Sequence, residues 1–282
     1  MNIIEAIFLG IIQGLTEFLP ISSTGHVTVA GKVLHLIPES APEQWTAFIA
    51  VIQLGTLAAV LIYFWHDLWA IFINFLKDNL TERKSFSEQS HYSKLGWFII
   101  IGTIPVVIIG LGFKDVIEGS LTKSLNVIAG SLIALAIILA IAEKFGKFKK
   151  DLNEIKWYDA LIIGFAQSLA LIPGSSRSGT TITAGLFLGL KRETAARFSF
   201  LLSVPAVLAS GLLEFYESIS YINFGDFVNL IAATAAAAIS GYLTIEFLLK
   251  FLRKNTTYVF VFYRIVIGVV ILVLVGYGII SP

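Results

Sequence analysis

Cysteine is absent from the 282 residues. That removes disulfides, zinc–thiolate sites, iron–sulfur clusters and cysteine nucleophiles together, without fixing a redox compartment. Charge is scarce as well: 14% of residues are Asp, Glu, Lys or Arg, and the net charge is +1. A near-neutral chain carries no global field for nucleic acid, so no nucleic-acid partner is expected. The first residues have neither a basic n-region nor a small-residue cleavage site, which argues against a removable signal peptide and leaves the first apolar stretch in the mature protein. In place of these features stands 56% hydrophobic content with a mean hydropathy of +0.84. This is the composition of an all-α integral membrane protein embedded in a lipid bilayer.

Six stretches are apolar for about the ~20 residues a helix needs to cross the hydrocarbon core. They lie near 45–65, 95–113, 125–143, 195–213, 227–249 and 258–280. Four others are too short or too polar: 2–19 and 157–172, which stop near Pro20 and Pro173, and 27–37 and 177–190, which follow those breaks. Proline ends a helix by removing a donor, so each pair reads as a re-entrant hairpin entering and leaving on one side. Irregular backbone at that depth requires cover by protein or a polar cavity.

One hairpin plus three spans per half is an odd number of crossings. The single membrane domain, 1–282, is therefore expected to be an inverted-topology repeat, with halves 1–145 and 155–282 and a site at the midplane. A weaker echo, Phe48 to Gly55 against Phe198 to Pro205, lies at similar distances after the two breaks. Loops 66–94, 144–156, 191–197 and 250–257 hold fifteen Lys and Arg, against Lys32, Lys114 and Lys123 on the other side. By the positive-inside rule both termini face outward. Arg177 and Arg264 are the buried exceptions, and Arg264 is expected to snorkel or to pair with Glu246. Ala235–Ala238, Gly241 and Gly268 offer small-residue faces for close packing, which would permit a homodimer.

The two breaks carry the chemistry. The first reads Gln13-Gly-Leu-Thr-Glu17-Phe-Leu-Pro20-Ile-Ser22-Ser23-Thr24-Gly25-His26, and the second Gln167-Ser-Leu-Ala-Leu-Ile-Pro173-Gly-Ser175-Ser176-Arg177-Ser178-Gly179-Thr180-Thr181. Both run Gly-x-x-Gln, apolar residues, then Pro-x-Ser-Ser. Gln13 and Glu17, four apart, share one helix face. Ser22 or Ser23, and Ser175 or Ser176, are placed to cap the helices that follow, whose bare N–H groups attract anions. His26 in a first helical turn is held neutral by the dipole, ready to take a proton or to attack phosphorus. Arg177 opposes a helix dipole unless an anion sits between its fork and the N–H groups. Glu17 could hold Mg²⁺ or Ca²⁺ with the phosphate oxygens. Set against this, serine beside proline often only re-satisfies freed carbonyls, Glu17 and Arg177 could be a structural ion pair, and a lone His is more often packed than catalytic. Glu246 and Lys250 read as an ordinary i,i+4 pair, and His35, His66 and His91 have no clear site role.

At these residues the chain resembles the undecaprenyl-diphosphate phosphatase family, also called bacitracin-resistance proteins. The marks are Glu/Gln-x-x-x-Glu followed by Pro-x-Ser-Ser-x-Gly-His, matched by Gln13 to His26, and Pro-Gly-x-Ser-Arg-Ser-x-x-Thr, matched by Pro173 to Thr181. The resemblance implies a plasma-membrane enzyme that removes the terminal phosphate of undecaprenyl diphosphate, a polyprenyl diphosphate lipid, and so recycles the carrier for peptidoglycan synthesis and confers bacitracin resistance. It also implies a divalent cation and a site open to the outer face. Carried over by position, the functional residues are Glu17, Ser23, His26 and Arg177, with Ser22, Thr24, Ser176, Ser178 and Thr181 around the phosphate. Gln13 stands where many relatives have Glu, which leaves Glu17 as the main metal ligand and Gln13 as an orienter.

The expected reaction is in-line attack by Ser23 activated by His26, with attack by His26 or by water left open. Two other readings compete. A lipid transporter or flippase shares inverted repeats and broken helices, but needs no Ser–His pair beside an Arg. A phosphatidic-acid-type phosphatase needs a further His after the Ser-Arg element, and no histidine follows Arg177.

Overall fold

A computed structural model describes residues 1–37, 42–113, 124–218 and 224–280. Among them the chain is helical, and no helix pairs with a sheet. The elements in order are α1 (Ile3–Glu17), α2 (Ser23–Val33), α3 (Pro42–Tyr63), α4 (Trp65–Leu76), α5 (His91–Gly112), α6 (Leu125–Phe145), α7 (Trp157–Ser168), α8 (Arg177–Phe187), α9 (Arg192–Ser218), α10 (Phe224–Leu252) and α11 (Tyr258–Gly276). Six segments are long and apolar enough to cross a membrane: Gln44–Tyr63, His91–Gly112, Leu125–Phe145, Arg192–Leu213, Phe227–Leu252 and Tyr258–Gly276. These are the six expected spans, so the molecule is a multi-pass membrane protein. Lys114, Lys123 and residues 219–223 of the loop expected between the fourth and fifth spans lie outside the described residues.

One element departs from expectation. Residues 66–94 read as a loop, yet their first part is α4, continued by a π-helical turn over Lys77–Thr81. At 1.5 Å per residue its 12 residues are too short to span. The helix forms because Trp65, Trp69, Phe72 and Ile73 recur at helical spacing and share an exposed face. An apolar stripe of this kind is suited to lie along a membrane surface. Trp65 and Trp69 stack with ring centroids 5.7 Å apart.

The short helices are set deep by packing against long ones. α1 packs most extensively on α10, α7 on α5, α3 on both α9 and α10, and α6 on α11. The Gly-x-x-Gln elements explain the first two contacts. A Cβ at Gly10 would collide with the backbone of Ala233, and one at Gly164 with the backbone of Gly102. In lipid, where burial of apolar surface drives little association, such close backbone approach is what holds helices together. Ala233, Ala237, Ser240 and Gly241 of α10 all meet α1 or α3 through glycines. Of the small-residue stretch Ala235–Ala238 with Gly241, Ala237 and Gly241 are used inside the chain, while Ala235 is exposed. Gly268 likewise packs against Ala129 and Ile133 of α6.

Candidate active site

Each break is built the same way. α2 is capped by Ser22, whose Oγ accepts the Gly25 N–H at 3.3 Å, and α8 by Ser176, whose Oγ accepts the Gly179 N–H at 3.1 Å. Both caps sit in the left-handed region, Ser22 at φ 74° and Ser176 at φ 67°. A non-glycine residue there is strained and persists only where the surroundings impose it. Both helices are 11 residues long.

The caps also correct the register between the two breaks. The sequence aligns proline with proline, whereas the structure pairs Ser22 with Ser176, Gly25 with Gly179 and Gln13 with Gln167, which leaves Pro20 opposite Gly174. The second break reaches its proline one residue early, after a 3₁₀ turn at Leu169–Leu171. Position by position, Ser23 is therefore the counterpart of Arg177: each opens the helix after its cap.

Glu17 joins these two residues. Its Oε1 accepts from Arg177 Nη2 at 2.6 Å, and its Oε2 accepts from Ser23 Oγ at 2.5 Å and from Gln13 Nε2 at 2.8 Å. Ser178 Oγ donates to the main-chain carbonyls of Glu17 and Leu19, at 3.3 and 3.0 Å. Arg177 Nη1 reaches Ser203 O at 3.4 Å. Glu17 and Arg177 are 160 residues apart in sequence, and through them the two breaks meet at one carboxylate.

Several expected roles change. Ser23 was expected to lean on His26, but its hydroxyl donates to Glu17. No hydrogen bond joins Ser23 to His26 among the described residues. His26 Nδ1 lies 2.7 Å from Ser22 O, and Nε2 lies 2.7 Å from Tyr263 Oη, with the two rings stacked at 5.6 Å. A carbonyl can only accept, so Nδ1 carries the proton and Nε2 of the neutral ring accepts a hydrogen bond from the Tyr263 hydroxyl. Thr181 donates to Arg177 O at 2.7 Å and its hydroxyl meets Ser199 Oγ at 2.6 Å, which braces α8 against α9. Ser22 and Ser176 spend their oxygens on the caps, and Ser176 also meets Ser178 Oγ at 3.1 Å. Thr24 lies in the first turn of α2, half-buried.

Arg264 overturns its reading completely. It is fully buried and neither snorkels nor pairs with Glu246, which binds Lys250 at 2.6 Å instead. Its guanidinium donates to Leu132 O at 3.2 Å, Pro20 O at 3.2 Å, Ser175 O at 3.0 Å and Gly174 O at 3.5 Å. One side chain thus ties both breaks to α6. The signal was present, since a charge inside an apolar span is functional by default. Sequence alone offered no way to see that its partners are carbonyls freed by the breaks.

Around Glu17 the buried charges are two guanidiniums and one carboxylate, and among the described residues Arg264 makes no ion pair. Among the described residues five polar side-chain atoms are buried without a partner: Gln13 Oε1, Ser175 Oγ and both amide atoms of Gln167, all in the two break segments, and Trp45 Nε1 of α3. Buried polar groups are normally satisfied, so the exceptions in the breaks leave room for a ligand or water. A site with excess positive charge and helix N-termini suits an anion. No group of three or more His, Cys, Asp or Glu side chains forms a cation site among the described residues. Of the two residues expected to hold a cation, Gln13 has an orphaned Oε1, whereas Glu17 Oε2 already accepts from Ser23 and Gln13. A cation there would displace those bonds and draw most of its ligands from a bound phosphate.

The family model described as "Bacitracin resistance protein BacA" matches residues 6–270. A protein named undecaprenyl-diphosphatase from Syntrophobacter fumaroxidans is 60% identical over 268 residues, covering 95% of each chain. Relatives of the same name from Chlorobium phaeovibrioides and Chlorobaculum parvum are 50% and 47% identical, with both chains covered in full. With both breaks inside the matched region and aligned from end to end with these relatives, the chain belongs to the bacitracin resistance protein BacA family.

Proposed function

We propose that the protein hydrolyses undecaprenyl diphosphate to undecaprenyl phosphate and phosphate in the bacterial plasma membrane, returning the carrier lipid to peptidoglycan synthesis and conferring bacitracin resistance. The observation that carries this reading is the Ser23–Glu17–Arg177 chain of hydrogen bonds across the two breaks. It combines a hydroxyl nucleophile, its base and a phosphate-binding cation in one buried site. The Glu17–Arg177 bond is also what a purely structural ion pair would give. What favours catalysis is the third partner, Ser23, held on the same carboxylate.

In the first step the Ser23 oxygen bonds to the terminal phosphorus as the anhydride P–O bond breaks. The Ser23 proton passes to Glu17 Oε2, and undecaprenyl phosphate leaves. In the second step water, taking the place of the Tyr263 hydroxyl at His26 Nε2, adds to the phosphoserine phosphorus and gives that nitrogen one proton, which leaves with the released phosphate or to solvent. The Ser23 oxygen departs with the proton held by Glu17, and inorganic phosphate is released. Arg177 and the N–H groups at the starts of α2 and α8 stabilise the charge on the phosphoryl oxygens. A divalent cation, Mg²⁺ or Ca²⁺, held by Glu17 and Gln13 would neutralise further charge on the diphosphate.

The halves 1–145 and 155–282 are read as an inverted repeat. The matched caps and the parallel contacts of α1 with α10 and of α7 with α5 support it. The basic loops face the cytoplasm, both termini face outward, and the site opens to the outer face.

Ser23→Ala, Glu17→Gln, His26→Ala and Arg177→Ala, purified and reconstituted, are each expected to lower phosphate release, Arg177→Ala by about 10³-fold or more. Full turnover in all four would refute the proposal. A carrier without hydrolysis would move labelled lipid across the bilayer and release no phosphate.

A further inference from the structure

An almost wholly apolar groove of about 340 Å³ opens beside the site, and the one polar side chain in its wall belongs to His26. One wall is α2, where Ala30 and Val33 follow His26 at intervals of four and three residues. The other is α11, where Ile267 and Ile271 follow Tyr263 four and eight residues on, and Leu132 of α6 also lines the cavity. Residues so spaced share one helix face. The two stripes begin at the same place, the hydrogen bond between His26 and Tyr263. Val33, at the far end of the α2 stripe, is exposed. The groove thus runs from a site residue to the lipid-facing surface.

We propose that this groove takes the first isoprenoid units of the polyprenyl chain, with the His26–Tyr263 pair marking the boundary between headgroup and tail. The inference rests on the lipid diphosphatase reading above and gives its substrate a path. A chain bonded to a phosphate held at Glu17 and Arg177 must leave the site without crossing buried polar groups, and this wall offers it carbon throughout. The groove gains little from hydrophobic transfer, because bilayer and groove are equally apolar. Its effect is orientation: a fixed exit for the tail fixes the rotation of the diphosphate, and a misplacement of about 1 Å is enough to cost ~10²-fold in rate. The ordinary alternative occupant is the acyl chain of a bulk phospholipid.

The test compares kcat/KM for undecaprenyl diphosphate with that for methyl diphosphate, whose ester group is too short to enter the groove. Ala30→Phe and Ile267→Trp, which plug the groove from opposite walls, are expected to lower the long-to-short ratio by about tenfold. Ile239→Trp, on an exposed position of α10, controls for added bulk in lipid and should leave the ratio alone. A ratio within about twofold of the unmodified protein in both plugging variants overturns the proposal. An unmodified protein that releases phosphate from neither substrate instead overturns the underlying function.

Photolabelling of the unmodified protein covers the case in which a plugged variant does not fold. An undecaprenyl phosphate analogue carrying a diazirine on its first isoprenoid unit should label peptides containing Val33 or Ile271, and excess undecaprenyl phosphate should suppress it. Labelling elsewhere overturns the proposal. So does equal labelling by a diazirine phospholipid that undecaprenyl phosphate does not displace.

Discussion

At the scale of single residues the deciding group is Arg264. Its guanidinium serves four carbonyls from three parts of the chain, and loss of a donor to a buried acceptor costs about 1–3 kcal/mol. Arg264→Ala is expected to lower the thermal midpoint in detergent by several degrees and kcat by about 10²-fold, through the misplaced breaks and the lost positive field. Arg264→Lys restores charge but not the planar fork. It should therefore recover more of the stability than of the turnover, and melting curves set beside phosphate release will show whether the two separate. Glu17 stands differently, because it touches both the nucleophile and the arginine. Glu17→Gln keeps the shape and removes the base, so kcat should fall by about 10²- to 10⁴-fold with the fold intact. Circular dichroism together with single-turnover phosphate release checks both halves of that expectation.

At the scale of elements the two capped helix starts make a paired prediction. Ser22 and Ser176 gain a cap bond and bear a positive φ. Substitution by Gly loses the bond but relieves the strain, whereas Ala loses the bond and keeps the strain. Ser22→Ala and Ser176→Ala should each cost about 1 kcal/mol, and the Gly variants only a few tenths. Equal losses from Ala and Gly in denaturant titration would contradict this account.

The basic loop after α4 carries a pH dependence of its own. Asp78 is buried and accepts the Ser90 N–H at 2.8 Å and Lys84 Nζ at 3.0 Å. The Ser90 N–H, then the Ser90 hydroxyl and then Lys84 hold its carboxyl down to about 2, against an ordinary value near ~4. A depressed carboxylate stabilises the fold above its unfolded pKa and loses that contribution as the pH falls through the folded value. Protection factors of amides in residues 77–90, after correction for intrinsic exchange, should therefore fall between roughly pH 4 and pH 2. Asp78→Asn should remove that transition and leave the segment faster-exchanging at neutral pH.

At the scale of the whole molecule, helix contact in lipid depends on backbone approach more than on burial. Gly164 meets Gly102 across α7 and α5, while a Cβ at Gly110 meets nothing. Gly164→Leu is expected to abolish folded yield, and Gly110→Leu to be neutral, as judged by size-exclusion profiles of the solubilised protein. Comparable behaviour of the two would show that lipid-facing and packed glycines are interchangeable here.

The sequence by itself determined the six spans, the two breaks and most of the groups at the site. Hydropathy over about 20 residues is a local quantity, and Glu17, Ser23 and Arg177 stand out because polar groups at membrane depth are costly. The local pattern also held α4, but its short stripe lay inside a charge-bearing segment and read as loop. What only the tertiary structure decided is pairing between distant parts of the chain. It turned Ser23 from His26 to Glu17, gave His26 to Tyr263, set Arg264 on carbonyls of both breaks and shifted the alignment of the breaks by one residue. Each of these choices depends on which surfaces the packed helices bring within about 3 Å of one another. That distance follows from glycine-mediated contacts between helices far apart in sequence, a property that no single segment contains.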